Sequence, residues 1–403
     1  MLSNILADWD RLAVAVIVCL AAVVLSRRFV WSRSVTLKPK TLTFRVDDIP
    51  IDHANTLESN LRSIAERDPV LRDAAATIVR RSLAPKDKET VCATVSTTTP
   101  LSGEDLCARL RKGGRVYPYS YSCKFEGVTP LYDAKNGADV DVIAVPGLGS
   151  HALGSWKSPN SDEVWLRDFL PSDLPSIRVL LYGYDTTLPG SFSKQSIEDL
   201  GQTLLERIVA FRARDGTARR PIIFIGHSLG GLLIKEALTR ACTRRSESNS
   251  TFSKACFGLL FFGVPNLGLR NDQLRTLVRG QPNEALIHDL LVDNDSEPSN
   301  FLKRLADQFS ESCKGHYRVV SFFERTLSPT LELHKDKVWR KTGQPSLLVT
   351  EKSATNTGLV VMADEDRIAL AADHSGLVKY DSRNQGDYTI TYTCLSRRIR
   401  KPA

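Results

Sequence analysis

From about Thr129 onward, short apolar runs alternate with segments whose apolar residues recur every three or four positions. The runs at 140–145 (VDVIAV), 177–181 (IRVLL), 221–225 (PIIFI), 257–262 (FGLLFF), 317–323 (YRVVSFF) and 346–349 (SLLV) lack the strict alternation of half-exposed strands. They predict strands covered on both faces, and their alternation with helices predicts a doubly wound, mainly parallel sheet of the α/β class. Between the second and third runs, Ile197, Leu200, Leu204, Ile208 and Phe211 share one helical face, opened by a Ser196-x-x-Asp199 capping box. The polar stretch 243–253 (TRRSESNSTFS) reads as a mobile loop.

Upstream the periods differ. Residues 41–46 (TLTFRV) read as a strand, Leu57, Leu61 and Ile64 as a helix, and Val91, Ala93 and Val95 as a half-buried strand. With the run at 119–125 the order is strand, helix, strand, strand, helix, strand, which predicts a small ferredoxin-like α+β unit. RNA-recognition modules share that topology and stack bases on aromatics of the central strands. Residues 91–97 contain no aromatic, so a structural or partner-binding role is expected and nucleic acid is not an expected partner. Three segments follow: 1–35, a small unit at 36–128 and the α/β domain at 129–403.

Residues 12–25 (LAVAVIVCLAAVVL) form an uncharged run of 14, preceded by Asp8, Asp10 and Arg11 and followed by Arg27, Arg28 and Arg33. As a helix the run rises about 21 Å, short of the ~30 Å hydrocarbon core, and Phe29, Val30 and Trp31 with snorkelling arginines extend it. A cleaved signal peptide is the rival, but it requires a basic start and a small-residue cleavage site, and this segment has neither. The expectation is an uncleaved single-pass anchor with the body in the cytosol, at the endoplasmic reticulum or the mitochondrial outer membrane.

The chain has 403 residues, 42% hydrophobic and 25% charged, with a net charge of +8. That composition excludes a disordered or wholly membrane-embedded protein and allows contact with anionic surfaces without requiring it. The eight cysteines include no C-x-x-C pair and no cluster at zinc spacing, so they read as reduced thiols, and neither metal nor cofactor is expected.

One constellation carries chemistry. The run at 222–225 leads directly into Gly226-His227-Ser228-Leu229-Gly230-Gly231 and then an apolar helical stretch, so a G-x-S-x-G turn joins strand to helix. A serine there sits on a strained turn whose neighbours Gly226 and Gly230 leave no room for a Cβ, exposing its hydroxyl at a helix N-terminus. Ser228 is the candidate nucleophile, and His227 points away from the reaction. The loop Pro146-Gly147-Leu148-Gly149 ends an earlier strand, so the amides of Leu148 and Leu229 are candidate oxyanion donors. Among later histidines, His288 sits in a helical stretch, His316 precedes a strand and His334 lies in a connector. His374 follows the last strand, where the base belongs. Glu324, at the end of 317–323, is the first candidate for its acidic partner, Glu351 the second, and Asp373 is too near in sequence.

Taken with 146–156 (PGLGSHALGSW), 182–186 (YGYDT), 261–268 (FFGVPNLG), 321–326 (SFFERT) and 372–382 (ADHSGLVKYDS), the chain resembles the serine esterase (lipase-like) domains of the serine-active-site-containing proteins, fungal members especially. TFRVDDIP at 43–50 resembles the N-terminal segment of the same group. The resemblance implies an α/β-hydrolase fold and ester hydrolysis, with Ser228, Glu324 and His374 at the triad positions. Where many relatives have His after the proline of the later loop, this chain has Asn266. Two functions are in view. One is a membrane-anchored serine hydrolase of lipid or small esters whose 266–315 insertion, with Leu274, Leu277, Leu290 and Leu291, forms a lid or acyl wall. The other is a tethered scaffold that docks partners with little turnover.

Overall fold

The computed structural model describes residues 38–400 apart from 186, 189, 245, 294–296, 314, 337 and 359–365. The 12–25 run and its arginine flanks, on which the expected anchor rests, lie outside the described residues. Among those described, no helix is long and apolar enough to cross a membrane.

Strands β1 (Lys40–Pro50), β2 (Val79–Pro85), β3 (Thr90–Thr99) and β4 (Ser120–Ser122) form an antiparallel sheet in the order β2-β3-β1-β4. Helices Leu57–Arg67 and Gly103–Gly113 cover one face, where Leu57, Leu61, Ile64, Leu106 and Leu110 pack on Phe44, Val46, Ala93 and Val95. The order strand, helix, strand, strand, helix, strand and the single helical layer are those of a ferredoxin-like unit. From the other face Arg45 donates to the Glu126 carbonyl (2.9 Å) and Thr129 Oγ1 (2.7 Å), tying this sheet to the start of the next.

The second sheet has seven strands: β5 (Gly127–Asp133), β6 (Val140–Val145), β7 (Ile177–Gly183), β8 (Ile222–His227), β9 (Cys256–Phe262), β10 (Arg318–Glu324) and, after a hairpin of β11 (Ser328–Leu333) and β12 (Trp339–Ser346), β13 (Arg367–Leu370). The order is β13-β10-β9-β8-β6-β7-β5, parallel throughout except at the β5 edge. Both faces are buried, which is why the runs do not alternate. Phe224 and Leu259 face a core shared with helices Ile197–Arg214, Leu229–Thr243 and Asn300–Cys313, while Ile223, Ile225 and Leu260 face one built around Trp156, Trp165 and Tyr388. The capping box at Ser196 and Asp199 forms as expected. Asp141, buried within β6, is held by Arg178 at 2.8 and 2.7 Å, the pairing a charge in that position needs.

Three expectations are corrected. Residues 347–349 are not a strand: Ser346 ends the β11-β12 hairpin, and the amides of Leu348 and Val349 are spent on the Glu324 carboxylate instead of a neighbouring strand. The last parallel strand is β13, whose burial at an exposed edge is too incomplete to stand out as an apolar run. The polar 243–253 stretch is largely helix (Glu247–Ala255), capped by Ser246, whose Oγ accepts the Asn249 amide, and anchored by buried Phe252. The antiparallel edge strand β5 carries Pro130, which masks it as a strand in the sequence.

Candidate active site

Strand β8 ends at His227 and the helix begins at Leu229, so Ser228 alone turns the chain, with φ +50° and ψ −126°. A non-glycine residue there is strained and persists because its surroundings over-determine it. The Ser228 amide donates to the Phe262 carbonyl at the end of β9 (2.9 Å), and its carbonyl accepts the Gly231 amide (3.0 Å). The flanking glycines are obligatory: a Cβ on Gly226 would lie 2.7 Å from Gly231 Cα, and one on Gly230 2.3 Å from the Val145 carbonyl oxygen. The loop after β6 lies against this turn, since a Cβ on Gly147 would come 2.9 Å from Ser228 Cβ. Leu148 follows in that loop and Leu229 opens the helix, which puts both backbones beside the serine.

Two strands across the sheet, Glu324 closes β10 with 1% of its surface exposed. Its Oε2 accepts a hydrogen bond from His374 Nδ1 at 2.7 Å, and its Oε1 accepts the amides of Leu348 (2.6 Å) and Val349 (3.0 Å). His374, in the loop after β13, donates its amide to Ser328 Oγ (3.0 Å) and receives His227 Nε2 on its carbonyl (2.9 Å). His227 therefore works on the backbone of the second histidine. Burial, then the proximity of His374, pushes its pKa down to about 3, so it stays neutral with the proton on Nε2.

The other candidates are elsewhere. Glu351 opens the short helix Glu351–Thr355 and does not end a strand as expected; its carboxylate pairs with Arg325 (2.7 Å) and Arg367 (3.0 Å). Asp373 accepts the Gly376 amide (2.7 Å), His288 faces Glu284 (3.6 Å) and His334 bonds Thr342 on the hairpin. His316 sits beside Tyr317 ahead of β10. Leu274, Leu277, Leu290 and Leu291 are buried core residues of the insertion. A cavity of about 620 Å³ opens beside the 147–151 loop, lined by Gly149, His151, Tyr184, Leu188 and the exposed Phe192.

The spacing of residues did not reveal two supports of this region. One is the Leu348–Val349 amide pair on Glu324. The other is Lys235, buried on the helix that starts after Ser228, whose Nζ donates to Asn266 Oδ1 (3.0 Å) and lies 5.2 Å over the Phe309 ring. Burial pushes the Lys235 ammonium down to about 7. Asn266 Nδ2 reaches the carbonyls of Ser353 and Ala354 (3.1 Å each), so Lys235 is linked to the segment that clasps Glu324. A lysine that follows the apolar run Leu232-Leu233-Ile234 was the only sequence signal for it.

A strained serine elbow, a buried carboxylate–imidazole pair and a parallel sheet define a hydrolase-type scaffold. Residues 142–387 match the alpha/beta hydrolase family, and the chain belongs to that family. It is 28% identical over 216 residues to Protein SERAC1 of Homo sapiens, a match covering 48% of this chain and 32% of that protein. With Protein SERAC1 of Danio rerio it shares 29% identity over 208 residues, 46% of this chain and 30% of the other. The chain thus spans about a third of the length of these relatives. Among solved structures it is similar to the lipase BlEst2 of Bacillus licheniformis (TM-score 0.39, 16% identity, 68% of this chain and 97% of that one). A second is the phospholipase PlaB of Legionella pneumophila (TM-score 0.31, 13% identity, 46% and 39%).

Proposed function

We propose that the chain is a serine hydrolase of carboxylic esters, with lipid esters as its substrates. The observation that carries the reading is the buried 2.7 Å bond between His374 Nδ1 and Glu324, set on the same sheet end as the strained Ser228 elbow. In the proposed reaction Ser228 Oγ attacks the acyl carbon while His374 Nε2 takes its proton. Glu324 fixes the imidazole tautomer and offsets the imidazolium charge. The amides of Leu148 and Leu229 receive the developing oxyanion, a donor type worth about 3–4 kcal/mol each in comparable sites. His374 then protonates the departing alcohol, and water, activated by the same imidazole, releases the acid from the acyl-enzyme. Membership of the alpha/beta hydrolase family and the resemblance to fungal serine-active-site-containing proteins support esters as the substrate class.

The apolar 12–25 run with Arg27, Arg28 and Arg33 behind it supports a membrane anchor that leaves the hydrolase in the cytosol, at the endoplasmic reticulum or mitochondrial outer membrane. The test is a fluorophosphonate probe on membranes bearing the full chain. Labelling that Ser228→Ala abolishes is expected, and a folded wild type that never labels would point to a scaffold. Removing residues 1–35 is expected to move labelled protein from the membrane pellet to the supernatant; continued pelleting of folded protein would refute the anchor.

A further inference from the structure

Helices Leu229–Thr243 and Asn300–Cys313 lie side by side in the larger core, and each carries a cysteine at its C-terminal end. Cys242 Sγ and Cys313 Sγ are 3.8 Å apart, in van der Waals contact, and Tyr317 Oη lies 3.6 Å from Cys242 Sγ. Both thiols are free, Cys242 partly exposed and Cys313 buried. We propose that Cys242 and Cys313 form a reversible, peroxide-responsive dithiol that closes to a disulfide and staples the helix starting at the Ser228 elbow to the last helix of the 266–315 insertion.

The chemistry assigns unequal roles to the two sulfurs. The S–H of Cys313, then the Tyr317 hydroxyl, stabilise a Cys242 thiolate and, against the opposing effect of burial, hold its pKa below that of an ordinary thiol, whereas donation to Cys242 and burial push Cys313 up. Burial likewise raises Cys92, Cys107, Cys256 and Cys394, so these are poor nucleophiles. The Cys242 thiolate attacks hydrogen peroxide: an S–O bond forms, the O–O bond breaks, and the leaving hydroxide takes up a proton and departs as water. Cys313 then attacks the sulfenic sulfur: the S–S bond forms, the S–O bond breaks, and the oxygen leaves as water with the Cys313 proton. Two thiols lose two electrons and one peroxide becomes two waters. The sulfurs must close from 3.8 Å to about 2.05 Å, an approach that two adjoining helix ends allow more readily than strands fixed in a ladder.

The bridge ties residues 242 and 313 of one chain, so it restricts the unfolded ensemble and the insertion together. It does not depend on ester hydrolysis and survives or fails independently of that reading. The experiment treats the reduced full chain with hydrogen peroxide and maps linked peptides by mass spectrometry, with melting temperature and circular dichroism as folding controls. The expected result is a Cys242–Cys313 peptide pair, a raised melting temperature, reversal of both by dithiothreitol, and loss of both in Cys242→Ser and in Cys313→Ser. In Cys313→Ser, Cys242 should instead be trapped as sulfenic acid by dimedone. Cys242 running on to sulfinic acid in the wild type, Cys242 pairing with another cysteine, or both thiols staying reduced in folded protein would each overturn the proposal.

Discussion

Glu324 divides its two carboxylate oxygens between two tasks: Oε2 holds His374 Nδ1 at 2.7 Å, and Oε1 is held by the amides of Leu348 and Val349. The amides fix the carboxylate in place, and the carboxylate fixes the imidazole. On the proposed mechanism Glu324→Gln leaves the fold intact and lowers turnover by orders of magnitude, toward the ~10⁴-fold loss that a misset tautomer causes elsewhere. Glu351→Gln, which touches only exposed arginine pairs, costs less than tenfold. Steady-state rates on a short-chain ester, with melting temperatures alongside, check this; a collapse in Glu351→Gln with near-normal Glu324→Gln would move the acid.

Gly263 supports the imidazole from below. Its φ is +56°, and a Cβ there would sit 3.0 Å from His374 Cε1 and Nδ1 and 2.9 Å from Leu377 Cδ1. Gly263→Ala is expected to displace His374, cutting turnover at least tenfold while KM changes little, with a stability loss of about 1–3 kcal/mol from overpacking. Equal losses in a distant overpacked variant, such as Gly258→Ala, would show that the effect is global.

His227 links folding stability to acid pH. Its pKa is about 3 in the fold and returns toward 6.5 on unfolding. Between those values the unfolded chain binds the proton and the folded chain does not, so this contribution is complete above about pH 6.5 and lost as pH falls toward 3. His227→Asn, which keeps a donor toward the His374 carbonyl, is expected to flatten the slope of melting temperature against pH in that window. An unchanged slope would refute the assignment.

Lys235 does the same on the alkaline side. Its pKa is about 7 in the fold and about 10.5 unfolded, so stability from this group rises with pH from 7 to 10.5 and levels off above. Below pH 7 both states are protonated and the slope vanishes. Lys235→Met removes the slope, a difference of about 5 kcal/mol across the window, and leaves Asn266 Oδ1 unpaired at every pH. Chemical denaturation at pH 7 and pH 10 measures it.

Much of the sheet and the candidate site can be read directly from the order of residues. All but the last of the apolar runs are strands buried on both faces, and Gly226-x-Ser228-x-Gly230 between such a run and a helix marks the elbow, because only residues without a Cβ fit its flanks. Leu57, Leu61 and Ile64 announce their helix, and Ser196 with Asp199 its start, since these are local periods and local hydrogen bonds. Tertiary structure alone decided the rest. Ser346 to Val349 have the apolarity of a strand, yet the backbone donors of Leu348 and Val349 go to a carboxylate at the end of β10, 24 and 25 residues earlier in the chain. β13 gains strand geometry from pairing with β10, as its own weak pattern does not specify it. The links Lys235 to Asn266, Cys242 to Cys313 and Glu324 to His374 join residues 31, 71 and 50 positions apart. Residue spacing encodes what neighbours along the chain can do, whereas hydrogen bonds and burial across such separations exist only once the sheet has folded and excluded water.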